Sequence, residues 1–334
     1  MRFGLVLGAG GGTGRAFHAG VLAALEETLG IDARDARVMV GTSAGAADAA
    51  LLRGGIAPAD LFARLVGRSC SPAGDALFAR MPEWEEPIEE GPSGRWRPAS
   101  PPRLYALMRR PWDVVPRTLG TVLAAVMPVG RRSTQIIEEA VSRLHEETWP
   151  RQPLWVCAVS LDDGRRVVFG RDADARAPVG RAVAASCAVP TYFAPVAIGD
   201  ERYVDGGMHS PSNADLLAGL GLDVVIISSP QTAVPRALSP SVDAAFRSAC
   251  RMLLRREAAE LRRTGSRVLI LEPTADDVRV MGSVAESMNV SRLADVAMQA
   301  YASTVRRCTA GPLARVVETA MFRRGQAALK RSAS

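Results

Sequence analysis

The chain has 334 residues, of which 48% are hydrophobic and 23% charged, a balance typical of a globular protein. Its longest apolar runs, such as residues 119–129, fall well short of the roughly 20 residues that a membrane-spanning helix needs. A strand-like run begins almost at the first Met, so we expect no secretory leader. Five scattered cysteines without a CxxC pair exclude a disulfide scaffold and predict buried thiols in a reducing compartment.

The formal net charge of +6 raises the question of a nucleic-acid partner. Of the 41 basic residues only Lys330 is a lysine, which indicates a coding bias toward arginine. The chain has no aromatic-plus-basic platform, helix-turn-helix pattern or zinc-ligand spacing. We therefore predict no nucleic-acid partner and a cytoplasmic protein, and peripheral contact with a membrane surface stays open.

The first half of the chain alternates strands and helices. A strand at Phe3–Leu7 leads into a glycine-rich loop, Gly8–Gly14, and a helix, Ala16–Leu29. A second strand, Val38–Val40, runs into a helix of small residues that ends near Leu52. This alternation predicts a parallel sheet covered by helices.

The remaining predicted strands are separated from the first two by a long proline-rich stretch. The strands are Leu154–Val159, Arg166–Phe169, Val224–Ser228 and Val268–Leu271. Between about Cys70 and Pro150, closely spaced prolines prevent long regular elements before about residue 117. We interpret residues 70–150 as a mainly helical insertion that forms a cap or lid, and an ordinary packed helical excursion stays open.

Gly41-Thr42-Ser43-Ala44-Gly45 is a GxSxG pentapeptide between an apolar strand and a helix of small residues. In a nucleophile elbow the serine occupies a strained turn that holds its hydroxyl clear of the sheet. The residues two before and two after it must be glycine, because side chains there would collide across the turn. The pattern predicts a catalytic Ser43 flanked by Gly41 and Gly45.

The loop Gly8-Ala9-Gly10-Gly11-Gly12-Thr13-Gly14 has two possible functions. Its spacing fits the GxGxxG dinucleotide fingerprint poorly, and no acidic residue ends the second strand to hold a ribose. Alternatively, the backbone N–H groups of Gly10, Gly11 and Gly12 stabilise an oxyanion, which glycine allows because backbone can then approach the reacting carbonyl. An elbow serine next along the chain favours the oxyanion hole.

A nucleophilic serine needs a proton acceptor, and the three histidines are poorly suited to that role. His18 lies in the helix after the glycine loop, where we expect packing or hydrogen bonding. His145 lies in a charged amphipathic helix, where we expect exposure to solvent. His209 follows Asp205-Gly206-Gly207, which ends a short strand and would be a plain turn if it stood alone.

Together the three glycine-containing motifs, in this order, resemble those of the patatin-like phospholipase family. The likeness extends to the flanks His18–Leu22 and Ala185–Pro190, and covers about residues 3–70 and 152–230. In one respect the chain departs from the family: the basic residue common near the last loop glycine is replaced by Thr13, while an arginine, Arg15, follows Gly14.

The resemblance implies a three-layer α/β/α fold and a Ser43–Asp205 dyad without a histidine relay. The amides of Gly10–Gly12 would hold the oxyanion, and Gly206 and Gly207 would free the backbone around the base. We expect a catalytic domain at 3–230 that carries the 70–150 insertion, C-terminal helices and a strand at 231–325 completing it, and a flexible tail at 326–334.

The predicted function is a serine lipid acyl hydrolase of phospholipase A or lysophospholipase type, acting on a lipid or another acyl ester. A thioesterase or acyltransferase with the same dyad, and a non-catalytic scaffold, remain alternatives, and a nucleotide-dependent oxidoreductase is disfavoured. Because no carboxylates cluster at calcium-loop spacing, we predict no metal, and we predict no cofactor.

Overall fold

An eight-stranded mixed sheet runs through the part of the chain that the computed structural model describes, residues 1–82, 127–146, 148–233 and 241–310. Its strands are β1 Phe3–Leu7, β2 Val38–Thr42, β3 Leu154–Ser160, β4 Arg166–Phe169, β5 Val196–Ile198, β6 Glu201–Asp205, β7 Val224–Ser228 and β8 Arg267–Leu271. They are ordered β5-β6-β3-β2-β1-β7-β8, and β4 also pairs with β3.

The sheet is parallel through β3, β2, β1, β7 and β8, while β4, β5 and β6 are antiparallel to their neighbours. The expectation of a parallel sheet is therefore wrong at one edge. Its cause is the length of the connections: β3 to β4 and β5 to β6 are joined by a few residues, too few for the crossover that a parallel pair requires.

Helices cover both faces of this sheet. They are α1 Gly11–Leu29, α2 Ala44–Arg53, α3 Pro58–Leu65, α4 Pro72–Phe78, α5 Gln135–His145, α6 Val179–Ser186, α7 Val242–Arg263, α8 Ala275–Met281 and α9 Leu293–Ala310. One face packs mainly against α1, α2, α5, α6 and α9, and the other against α7 and a short 3-10 turn, Ala214–Leu217. This arrangement is the three-layer α/β/α fold.

Alternation along the central strands sends neighbouring side chains into different cores. In β1, Leu5 and Leu7 belong to the core beneath α1, whereas Val6 belongs to the core beneath α7. Since all three are fully buried, the sheet is covered on both sides and its central strands read as continuous apolar runs.

The first helix begins at Gly11, five residues earlier than the sequence predicts. Glycine is a poor helix former, so the pattern places the start at Ala16. In the fold, Gly11 adopts φ +60°, and the first turn is fixed by the Thr13 N–H, which donates to Ser287 O at 2.9 Å. Tertiary contact with a distant segment thus outweighs helix propensity.

His145 is buried, which overturns the prediction that it is exposed to solvent. Its Nε2–H donates to the carbonyl of Ala50 at 2.8 Å, so α5 is tied to α2. The amphipathic pattern predicted the helix but not this contact, because Ala50 lies 95 residues earlier in the chain.

The proposed lid and tail fall largely or wholly outside the described residues: 83–126 within the insertion, and 311–334 at the end of the chain. Past residue 230 the sheet continues, since β8 pairs with β7, and the domain boundaries remain predictions. In the described ranges, no helix combines the length and the apolar character that crossing a bilayer requires.

Replacement of Gly20 tests how closely α1 and α9 approach. A Cβ there would lie 2.3 Å from Ala297 O and 2.8 Å from Tyr301 N. We therefore expect Gly20→Ala to lower the free energy of unfolding by about 1–3 kcal/mol, because the two backbones must separate. Denaturant unfolding measures the change.

The sign of the change in the free energy of unfolding distinguishes the effect of close helix packing from that of helix propensity. Without the close approach, helix propensity alone would make Gly20→Ala about 1 kcal/mol more stable. Gly20→Val should be more damaging than Gly20→Ala if the helices touch as described.

Candidate active site

Ser43 lies at the sharp turn between β2 and α2, with φ 55° and ψ −122°. A non-glycine residue in such a sparsely populated region costs about 1–3 kcal/mol and persists only where its surroundings enforce it. Here the enforcement is close packing. A Cβ at Gly41 would lie 2.5 Å from Ala46 Cα, and one at Gly45 would lie 2.0 Å from Leu7 O.

Asp205 ends β6 and is buried, with 4% of its surface exposed. Burial raises the pKa of its carboxyl group to about 6, although hydrogen bonds from the Ser43 side chain and from Gly207 N–H oppose the rise. The Gly207 N–H donates to Asp205 Oδ1 at 2.7 Å. Gly206 must lack a side chain, because a Cβ there would lie 2.2 Å from a carbonyl oxygen of β3.

The last residue of α6 and the two residues after it join the backbones of Ser43 and Asp205. Ser186 Oγ accepts the Ser43 N–H at 2.9 Å and donates to a carbonyl of β3 at 2.6 Å, while Cys187 Sγ donates to Ser43 O at 3.2 Å. The Asp205 N–H donates to Ala188 O at 3.0 Å. The sequence shows this segment only as a flank of the resemblance and does not reveal its role, because the contacts to Ser43 span more than 140 residues.

Hydrogen bonds on both sides of the glycine loop fix its course. The N–H groups at both ends of the loop are occupied: Gly8 donates to Ser228 O at 3.0 Å, Ala9 to Pro211 O at 2.8 Å, Thr13 to Ser287 O at 2.9 Å and Gly14 to Gly10 O at 2.8 Å. By contrast, the N–H groups of Gly10–Gly12 donate to no acceptor within the described residues. Since they lie at the positive end of α1, these three donors suit a negatively charged ligand.

The other two histidines, His18 and His209, are neutral at pH 7. His18 is fully buried, which lowers its pKa; its Nε2–H donates to Gly8 O at 2.8 Å and its Nδ1 accepts from Ser228 Oγ at 2.8 Å. It therefore hydrogen-bonds, as predicted, and supports the loop. Burial, aided by the nearby Arg166, lowers the pKa of His209 to about 4.

Arg15 marks the departure from the family pattern. Its Nε donates to Asp48 Oδ1 at 2.9 Å, which links α1 to α2. The Asp48 side chain is 4% exposed, so the ion pair lies close to the protein interior. The arginine thus holds together the two helices that begin at the candidate site.

A strand–turn–helix elbow at the carboxyl end of a central strand, within a three-layer α/β/α fold, defines a class of α/β proteins in which a serine is held clear of the sheet. A sequence model of the patatin-like phospholipase family matches residues 5–218 of this chain. The chain belongs to that family, and its predicted membership is confirmed.

Two solved structures show distant similarity. The crystal structure of VipD from Legionella pneumophila shares 16% sequence identity with this chain, at a TM-score of 0.36. The alignment covers 91% of this chain and 67% of the VipD chain. The crystal structure of the type III effector protein ExoU shares 18% sequence identity with this chain, at a TM-score of 0.35. The alignment covers 90% of this chain, which spans about half, 52%, of the ExoU chain. No curated protein sequence matches the chain.

The buried carboxylate predicts a stability cost that depends on pH. Because folding raises the pKa of Asp205 from 3.8 to about 6, ionisation favours the unfolded chain, and folding loses stability as the pH rises through this interval. A shift of about two units corresponds to about 3 kcal/mol at most. We expect Asp205→Asn to be about 1–3 kcal/mol more stable than the wild type at pH 8.

Denaturant unfolding at pH 8 and pH 4 measures this effect, which should shrink at the lower pH. Asp200→Asn, at an exposed aspartate in the turn between β5 and β6, is the matched control and should gain nothing. An Asp205→Asn variant less stable than the wild type at pH 8 would contradict a buried, destabilising carboxylate.

Proposed function

We propose that the protein is a serine lipid acyl hydrolase of phospholipase A or lysophospholipase type, with Ser43 as nucleophile and Asp205 as its base. The observation that carries the proposal is the strained elbow serine together with the buried Asp205 carboxylate, whose pKa is raised by burial and lowered in part by the Ser43 side chain. Membership of the patatin-like phospholipase family supports a lipid hydrolase.

In the first step, Ser43 Oγ attacks the ester carbonyl carbon while its proton passes to Asp205. The carbonyl π electrons move to oxygen, which becomes the oxyanion of a tetrahedral intermediate. A carboxylate in water is a weak base for a hydroxyl group, with a pKa of about 3.9. Burial raises the pKa of Asp205 to about 6, closer to neutral pH, where a general base is most effective.

The oxyanion would be held by the N–H groups of Gly10–Gly12. They are the loop amides without an acceptor in the described residues, and the amides on either side of them are already occupied. Because their positions are fixed before substrate binds, they stabilise the developing charge without reorganisation; one such donor is worth about 3–4 kcal/mol in the transition state.

Collapse of the intermediate breaks the bond from carbon to the leaving oxygen, and the departing alcohol takes the proton from Asp205. An acyl group then remains on Ser43. In the second half, water attacks this acyl ester, Asp205 accepts the proton of the water, and collapse returns a proton to Ser43 Oγ. The products are a fatty acid and a lysophospholipid or glycerophosphodiester.

Labelling with a fluorophosphonate tests the nucleophile. The wild type should gain one adduct by intact mass, and Ser43→Ala should gain none while its melting temperature stays within a few degrees. Ser160→Ala is the matched control, since the Ser160 hydroxyl is buried and has no hydrogen-bond partner in the described residues. Unaltered labelling of Ser43→Ala would refute the assignment.

The pH dependence of kcat/KM tests the base. Only ionised Asp205 accepts the serine proton, so kcat/KM should rise with pH through about 6 and then level off. Asp205→Asn should lose about 100-fold or more in kcat. Retention of more than about a tenth of the wild-type rate would instead implicate His209 or His18.

A further inference from the structure

Residues 210–214, which follow the Asp205-Gly206-Gly207 turn, form a buried loop with an unusual backbone. Ser210, Ser212 and Asn213 are 3%, 1% and 0% exposed. Asn213 adopts φ 51° and ψ 32°, a left-handed conformation that side-chain-bearing residues rarely occupy. Asparagine visits this region more readily than most residues, and the hydrogen bonds of the loop fix it there.

The contacts that hold this loop converge on one carboxylate, that of Glu257 in α7. Its Oε1 accepts from Ser210 Oγ at 2.5 Å, and its Oε2 accepts from Ser212 Oγ at 2.6 Å and from Ala214 N–H at 2.9 Å. Ser210 Oγ in turn accepts the Asn213 N–H at 3.1 Å. Burial raises the pKa of Glu257, while the hydrogen bonds from the serines counteract the rise.

The loop touches all three parts of the candidate site. Asn213 Nδ2 donates to Thr42 Oγ1 at 3.1 Å, and Thr42 is the residue before the nucleophile. Pro211 O accepts the Ala9 N–H at 2.8 Å, next to the oxyanion glycines. Ser210 N–H donates to Gly206 O at 3.3 Å, next to the base.

From these contacts we propose that Glu257 is a positioning residue for the reaction: through the 210–214 loop it sets the backbone of the elbow, the oxyanion loop and the base relative to one another. It touches none of the reacting groups. It lies outside residues 5–218, which the family model matches, so no motif of that segment includes it. This inference rests on the proposed function, because it assumes that Ser43 is the nucleophile.

The argument depends on the acceptor capacity of a carboxylate. Glu257 meets three donors on its two oxygens, and an amide of the same shape has one oxygen and an NH2 group that only donates. In Glu257→Gln at least one serine or backbone donor therefore faces another donor. The hydrogen bonds that hold Asn213 in its left-handed conformation are then disturbed. As a result, Thr42 Oγ1 loses the Asn213 side chain as its hydrogen-bond donor.

The experiment measures kcat and KM with a soluble ester, together with the rate of fluorophosphonate labelling at Ser43. For Glu257→Gln we expect kcat and the labelling rate to fall about tenfold or more, with KM within about twofold of the wild type, because the change displaces reacting groups and not bound substrate. Glu260→Gln is the matched control. It lies on the same helix, its carboxylate pairs with Arg263 on the surface, and the variant should behave as the wild type.

Rates are normalised to the folded fraction measured by circular dichroism at the assay temperature. A Glu257→Gln variant with wild-type kcat and labelling overturns the proposal, as does a loss that disappears on this normalisation. If Glu257→Gln fails to fold, Asn213→Gly replaces it. Glycine adopts the left-handed backbone freely but lacks the amide that reaches Thr42, so a folded variant with tenfold lower kcat supports the proposal and an unchanged kcat overturns it.

The wild-type measurement separates this inference from the function on which it rests. If the wild type gives no adduct at Ser43, the proposed function fails. If it is labelled at Ser43 and Glu257→Gln is labelled equally fast, only the positioning role fails.

Discussion

The positive φ at Ser43 is the constraint on which the rest of the site depends. A side chain in that conformation projects from the edge of the sheet only if the strand before it and the helix after it nearly touch, and that approach leaves no room for side chains at Gly41 and Gly45. Left alone, the turn would relax, since the strain is comparable to a sizeable part of a protein's net stability. Ser186 and Cys187 prevent this by hydrogen-bonding to the backbone N–H and the backbone carbonyl of Ser43.

Asp205 adds a second unfavourable feature, because a carboxylate is buried where water cannot solvate it. Contacts far from the reacting atoms offset the cost of the strained Ser43 backbone and the cost of the buried Asp205 carboxylate. The helix that follows the glycine loop, α1, packs closely against α9, and Ser287 O accepts an N–H of the first turn of α1. The C-terminal third of the described chain therefore supports a site whose motifs all lie before it.

Prediction from the sequence succeeded where local pattern and local chemistry agree. The bounds of β1, β4 and β7 are those that the apolar runs predict, because strands buried on both faces show as unbroken hydrophobic segments. Prediction failed where distant residues intervened. The pattern places the start of α1 at Ala16 and His145 at the surface, since neither the contact with Ser287 nor that with Ala50 leaves a signal in nearby sequence.

The sequence by itself determined the family, the layer architecture and the positions of the glycines, because a backbone that must approach another closely tolerates no other residue. Only the tertiary structure decided which atoms meet at those positions. It brought the 185–190 segment to the elbow, left three loop amides without an acceptor among the described residues and gathered Ser210, Ser212 and Ala214 around Glu257. These pairings join residues 43 to 143 positions apart, and no local periodicity encodes a contact over such a separation.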